Sequence, residues 1–171
     1  MPCVPLTKRE TVPMSFDTKA FRHALGSFPT GVAVVTAVTA GEPVGMTVNS
    51  FTSVSLDPPL VLWCLKRDSN RYQVFADAKA FTINVLGTEH EGVSSRLARQ
   101  GEHKLHDIAL LETELGPPAL ADAHAVFECR CEAIHDGGDH AILIGRVVRF
   151  ARRDDGAPLV FYRGRYGALS G

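Results

Sequence analysis

Apolar residues along this chain gather in short β-branched or alternating runs, and this pattern predicts a succession of strands with few helices between them. Residues 32–39, V-A-V-V-T-A-V-T, are almost uninterrupted by polar side chains, so a strand buried on most sides is expected after the tight entry at Pro29, Thr30 and Gly31. Ala40, Gly41, Glu42 and Pro43 then turn the chain back into a second strand, making an antiparallel hairpin. Residues 60–65 and 81–86 read as further apolar strands. Two long strands are expected over residues 123–134 and 141–151, because the intervening H-D-G-G-D-H supplies the positive φ angles of a hairpin turn. Residues 159–162 make a last strand, and Arg163, Gly164, Arg165 and Tyr166 close the chain.

The helix signals are fewer. Asp17 can cap a first helix while Phe16 staples onto Phe21, with Phe21, Ala24 and Leu25 on one face and a stop near Gly26. Ser69 can cap a short helix bearing Tyr72, Phe75 and Ala76 on one side. Thr88 and Glu91 form a capping box that opens a third helix through Val93 and Leu97, from which Arg96 and Arg99 project toward a ligand or a partner. Residues 101–122, broken by Gly116, Pro117 and Pro118, read as a long loop with one or two short strands, a cover or a dimer contact. Roughly seven mostly antiparallel strands against three helices that do not alternate with them disfavour a doubly wound fold, and no G-x-G-x-x-G follows a strand. A mainly β fold with peripheral helices is expected, a closed or split β-barrel with helices at its rim.

Composition narrows the partners. The 171 residues fit one domain over residues 16–171, preceded by a proline-bearing tail at 1–15 that could reach across a partner subunit. Lys and Arg number 18 and Asp and Glu 19, a net charge of -1, so no nucleic-acid or membrane partner is expected from bulk charge. No apolar run approaches the roughly 18 residues of a membrane span, and the N-terminal segment lacks a signal-peptide core, so a cytoplasmic protein is expected. The four cysteines are too scattered for a disulfide framework. Cys129 and Cys131 would share one strand face. Without a second pair or a histidine at ligand spacing they read as buried thiols, and no metal site is expected.

The chemistry concentrates in residues 44–59, V-G-M-T-V-N-S-F-T-S-V-S-L-D-P-P. From Thr47 to Ser55 there are five Ser or Thr residues and one Asn but no charge, so a ligand here would meet neutral donors and acceptors. That suits a planar heteroaromatic with imide and carbonyl edges, although the stretch taken alone also fits an ordinary edge strand. Lys66 and Arg67, with the N–H groups opening the Ser69 helix, make a compact cationic patch beside it where a phosphate would belong.

Together with T-G-V-A-V-V-T at 30–36, F-T-I-N-V-L at 81–86 and G-D-H-A-I-L-I-G at 138–145, this stretch resembles, in order and spacing, the short-chain flavin reductases. These are the NAD(P)H:flavin oxidoreductase components of two-component monooxygenases, and the resemblance runs from about Phe16 to Leu169. It implies a flavin-binding split barrel, a homodimer with flavin near the subunit interface, hydride transfer from NADH or NADPH to FMN or FAD, and a monooxygenase that receives the reduced flavin. By the same resemblance, Met46, Thr47, Val48, Asn49 and Ser50 border the isoalloxazine. Ser53 and Ser55 lie by the ribityl and phosphate, with Lys66, Ser69 and Asn70 at the phosphate end. Phe81, Thr82 and Asn84 run past the flavin, with Thr30 a weaker candidate. Gly138, Asp139 and His140 match the family's G-D-H motif, which places His140 at the nicotinamide as the catalytic candidate with Asp139 orienting it; Arg163 and Tyr166 complete that side.

Hydride transfer between two such rings asks little acid or base of a protein, because the cofactors carry the redox chemistry. The protein must stack the rings, stabilise the charge that grows on the flavin carbonyl edge, and let the product go. Two other readings compete: a barrel of the same fold that holds flavin tightly as an electron carrier or sensor, and an oxidase like those acting on pyridoxamine phosphate. The second lacks a strong basic cluster for its substrate.

Overall fold

The structure, a computed structural model, describes residues 16–169, so the tail expected at residues 1–15 lies outside the described residues. The chain opens with α1 (Thr18–Leu25), where Oδ1 of Asp17 accepts from the N–H groups of Lys19 (2.9 Å) and Ala20 (3.1 Å). The Phe16 and Phe21 rings meet edge to face at 5.0 Å, which is the expected staple. Then come β1 (Thr30–Gly31), β2 (Ala33–Thr39), β3 (Glu42–Val48), β4 (Thr52–Leu56) and β5 (Pro59–Lys66). After α2 (Tyr72–Ala76) and β6 (Ala80–Val85), a 3-10 turn (Thr88–His90) leads into α3 (Glu91–Leu97). The long loop carries β7 (Leu110–Leu111) and β8 (Ala119–Leu120), and β9 (Ala125–Gly137), β10 (His140–Arg152), β11 (Leu159–Tyr162) and β12 (Arg165–Ala168) follow.

Seven strands form one antiparallel sheet in the order β3-β2-β6-β9-β10-β5-β4. Its two edges, β3 and β4, are consecutive in sequence. Six inter-strand steps would part the edges of a flat sheet by roughly 29 Å, whereas the chain from Val48 to Thr52 spans at most about 14 Å. The sheet is therefore rolled into a barrel whose seam is crossed by residues 49–51. A three-stranded sheet, β1-β11-β12, packs onto its outer face through Leu159, and β7 and β8 pair by themselves.

Strand β2 is buried on both faces, as its β-branched run predicts. Ala33, Val35 and Ala37 face the barrel interior with Trp63, Leu65, Phe75, Phe81, Ile83, Cys129 and Leu143. Val32 and Val34 face outward onto a second core built with Leu86, Leu97, Leu105, Leu120 and Leu159. Gly145 on β10 is needed where it stands, since a Cβ there would meet Cζ of Phe81 at 2.6 Å and Cβ of Cys129 at 2.9 Å.

Four local expectations are corrected. The 44–59 stretch is two strands on opposite sheet edges rather than one rim strand, because the ladder stops at Val48 and resumes with a different partner at Thr52. The box before α3 is closed by His90, whose Nδ1 accepts from the N–H of Gly87 (3.2 Å), while Glu91 is already the first residue of the helix. Ser69 shapes a turn, its Oγ accepting from the N–H of Arg71 (3.2 Å), and α2 begins only at Tyr72. Finally, the chain does not close after β11: Arg163 (φ 49°) and Gly164 (φ 78°) make a tight left-handed turn into β12.

Candidate active site

A cleft of about 440 Å³ opens where the barrel seam meets the end of α3. One wall is the seam itself, Met46, Thr47, Val48, Asn49 and Ser50. A second is the turn after β5, with Lys66, Asp68, Ser69, Asn70 and Arg71. Ala98, Arg99 and Gln100 form the third, and Cys64 and His140 complete the lining. Antiparallel registry explains how the distant residues meet: His140 begins β10 directly opposite Lys66 at the end of β5.

Not every hydroxyl of the rim faces a ligand. Oγ1 of Thr47 donates to the carbonyl of Ser94 (2.8 Å), and Oγ of Ser50 accepts from the N–H of Cys64 (2.9 Å), so both anchor the seam to its neighbours. Asn49 is exposed, and its N–H and that of Ser50 make no hydrogen bond to another described residue. The rim thus offers an exposed amide side chain and free backbone donors, which suits the carbonyl edge of a planar ring.

The charges around the cleft are specific. Nζ of Lys66 lies 2.7 Å from Oδ2 of Asp68, an exposed pair of the kind an incoming anion exchanges readily. Arg67, expected to share the anion patch, is instead committed to the neighbouring hairpin, with its guanidinium 2.5 Å from Oδ1 of Asp136 and its Nε donating to the carbonyl of Gly138 (3.2 Å). Nδ1 of His140 lies 2.8 Å from Oδ1 of Asp139, and that bond, followed by the charge of the ring and of Lys66, holds the Asp139 carboxyl below its ordinary range.

Arg71 is the residue that sequence reasoning missed. It is 5% exposed, and burial lowers its guanidinium's pKa, opposed in part by the charge of Glu102. It resembled one more surface cation beside Lys66 and Arg67, and no local pattern marks it as buried. Cys64 also lies on the cleft wall.

The other candidates lie elsewhere. Phe81 is in the barrel core. Thr82 and Asn84, one pleat over, face outward under the long loop: Oγ1 of Thr82 donates to the carbonyl of Pro117 (2.6 Å), and Asn84 donates to the carbonyl of Val34 (3.1 Å) and accepts from the N–H of Leu120 (2.8 Å). Ser53 and Ser55 sit on edge strand β4 outside the cleft lining. Gly138 (φ 77°) and Asp139 form the turn that presents His140. Thr30 pairs with Phe161 in the smaller sheet. Arg163 and Tyr166 line a separate groove of about 1100 Å³ between α1 and the β11–β12 hairpin. Tyr166 is linked to the cleft indirectly, its hydroxyl 2.8 Å from Oγ of Ser94, the residue whose carbonyl holds Thr47.

Cys129 is buried in the barrel core, whereas Cys131, expected to be buried as well, is only half-buried against it. Burial pushes Cys129 up to about 12 and raises Cys131 as well, and no cluster of three or more metal-ligating side chains occurs among the described residues. No helix among those residues is long and apolar enough to cross a membrane.

Comparison with known proteins identifies the family. The family described as "Flavin reductase like domain" matches residues 25–170. The chain is 47% identical over 159 residues to FMN reductase (NADH) SmoA of Agrobacterium fabrum, covering 93% of this chain and 90% of that protein. It is 38% identical over 155 residues to HsaB of Rhodococcus jostii, the reductase subunit of a flavin-dependent monooxygenase, covering 91% and 80%. Among solved structures, the Streptomyces globisporus NADH:FAD oxidoreductase SgcE6, in complex with NAD and FAD fragments, superposes with a TM-score of 0.85 at 36% identity, over 90% of this chain and 93% of that one. With its rolled seven-stranded sheet and a family match spanning most of its length, the chain belongs to the flavin reductase like domain family.

Proposed function

We propose that this chain is an NAD(P)H-dependent flavin reductase that reduces FMN or FAD and delivers the reduced flavin to a separate flavin-dependent monooxygenase. The observation that carries the reading is the single cleft in which an uncharged rim at residues 46–50, a cationic corner at Lys66 and the turn histidine His140 converge. The residues fit a flavin: the rim presents unpaired backbone donors, and the corner presents an exposed ammonium with the polar side chains of Ser69 and Asn70 for a phosphate. When bound, the nicotinamide supplies a hydride and the flavin accepts it.

The chain's own part is binding and orientation. Asn49 and the free N–H groups of the rim hold the carbonyl edge and stabilise charge that accumulates there. Lys66 exchanges Asp68 for the flavin phosphate. Asp139 fixes the ring of His140, which contacts the carboxamide end of the dinucleotide. Neutral, solvent-reached donors bind without trapping, which is consistent with flavin leaving as a product.

Mixing the purified protein with NADH or NADPH and excess FMN or FAD tests the reading: flavin absorbance should bleach catalytically. No turnover in any combination rejects it, and a protein that stays yellow through dialysis without turnover would favour the electron carrier instead. The chain acts as a homodimer in this reading. Helix α1 supports it, because none of its residues is buried and Phe16, Phe21 and Leu25 are about half exposed or more, as a face awaiting a second copy would be. Sedimentation that gives a monomer at micromolar concentration would reject the dimer.

A further inference from the structure

Arg71 carries a charge into the protein with no carboxylate bonded to it. Its guanidinium donates instead to four main-chain carbonyls: Nη1 to Leu97 (3.1 Å) and Gly45 (3.4 Å), Nη2 to Arg99 (2.8 Å) and to Glu102. Gly45 belongs to β3, one residue before the rim. Leu97 ends α3, and Arg99 and Glu102 lie on the segment that follows. A helix end leaves its last carbonyls unpaired and partly negative, so a cation there satisfies them and complements the dipole. The planar fork of an arginine can reach several at once, which a lysine cannot.

We infer that Arg71 is a positioning residue of the cleft, fixing the wall at residues 98–100 against the rim at residues 46–50 and so setting the width into which the flavin must fit. The inference rests on the flavin-reductase reading and deepens it. The same segment is pinned further along by contacts that do not use Arg71. The N–H of Gly45 donates to the carbonyl of His103 (2.9 Å), Lys104 bridges to Val44, Arg96 donates to the carbonyl of Lys104 (2.9 Å), and Leu105 is buried in the second core. Loss of Arg71 therefore frees residues 98–102, while Leu97 stays held in the second core and residues 103–105 stay in place.

The test compares Arg71→Met and Arg71→Lys with wild type and with Leu159→Ala, which opens a cavity in the second core away from the cleft. Both Arg71 variants should raise the apparent KM for flavin about tenfold, the loss of one strong multi-contact group, with the KM for nicotinamide within about twofold. Amide hydrogen exchange should quicken at residues 98–102 and not at 103–105. Three results would overturn the inference: flavin KM within about twofold of wild type, its restoration by the lysine, or an equal rise in Leu159→Ala. If the methionine variant fails to fold, the lysine variant answers alone, and if both fail, exchange on the wild type decides: added FMN must slow residues 98–102, and no change there overturns the inference. Wild-type turnover is measured first, so failure of the reductase reading is seen separately from failure of the clamp.

Discussion

Oδ1 of Asp139 lies 2.8 Å from Nδ1 of His140, a bond between sequence neighbours at the turn joining the two longest strands. With the carboxylate accepting, Nδ1 carries the ring proton and Nε2 is left as the nitrogen free for a ligand. His140→Ala should raise the KM for the nicotinamide several-fold, about 1 kcal/mol of lost contact, and the KM for flavin less. Steady-state kinetics with each substrate varied in turn checks this; the opposite ordering moves the nicotinamide elsewhere.

The pH dependence of that contact follows from Asp139. Its carboxyl is held below the ordinary value of 3.8, so the orienting bond is intact above that value and is lost as pH falls through the lowered one. The ratio of nicotinamide KM between wild type and Asp139→Asn should stay constant from neutrality down to about pH 5. A ratio that collapses within that range would show that another group sets the orientation.

Asn49→Leu should weaken flavin binding by roughly 1 kcal/mol, about fivefold in Kd, because its amide becomes desolvated only under a ligand. Its exposure in the free protein means that thermal stability should be unchanged. Fluorescence titration with FMN and with FAD reads both the effect and the preferred flavin, and an unaltered Kd would remove Asn49 from the site.

Asn84 behaves in the opposite way. It is fully buried and bridges the carbonyl of Val34 and the N–H of Leu120, so Asn84→Leu strands the Leu120 N–H and removes the second donor to the Val34 carbonyl. A loss of about 2–4 kcal/mol, or roughly 5–15 °C in Tm, is expected with flavin KM unchanged. A flavin effect at preserved stability would return this residue to the binding site.

Thiol chemistry gives an independent reading of burial. Among the described cysteines, Cys64 on the cleft wall should react first with an alkylating agent at pH 8, Cys131 more slowly and Cys129 last, since burial raises the pKa of both strand thiols. The raised value also fixes a sign: what the neutral Cys129 contributes to stability is intact below the ordinary thiol value of 9.0 and is lost as pH rises toward about 12. Mass spectrometry of partially labelled protein orders the sites, and early labelling of Cys129 would contradict the fold around it.

Much of the architecture was legible because its signals are local. The D-G-G turn, the β-branched run at residues 32–39 and the Asp17 cap each act over a few residues, and each is present where expected. The seam residues and His140, singled out in the sequence, do line one candidate cleft, but polar residues that alternate within a strand were not legible in the same way. Thr82 and Asn84 share a face, yet period two says nothing of whether that face meets a ligand or the main-chain groups of a loop some 35 residues onward. Arg71 was hidden for the same reason, because all four of its carbonyl partners lie 26 or more positions away. The β12 strand was missed because it is only four residues long and its turn uses Arg163, a residue not ordinarily found at positive φ.

The crossing at residues 49–51 joins two sheet edges without itself forming a rung of either. The exposed side chain of Asn49 can therefore be exchanged while Ser50 and Phe51 keep the crossing anchored and every strand pair keeps its partner, so ligand preference can drift on an unchanged scaffold.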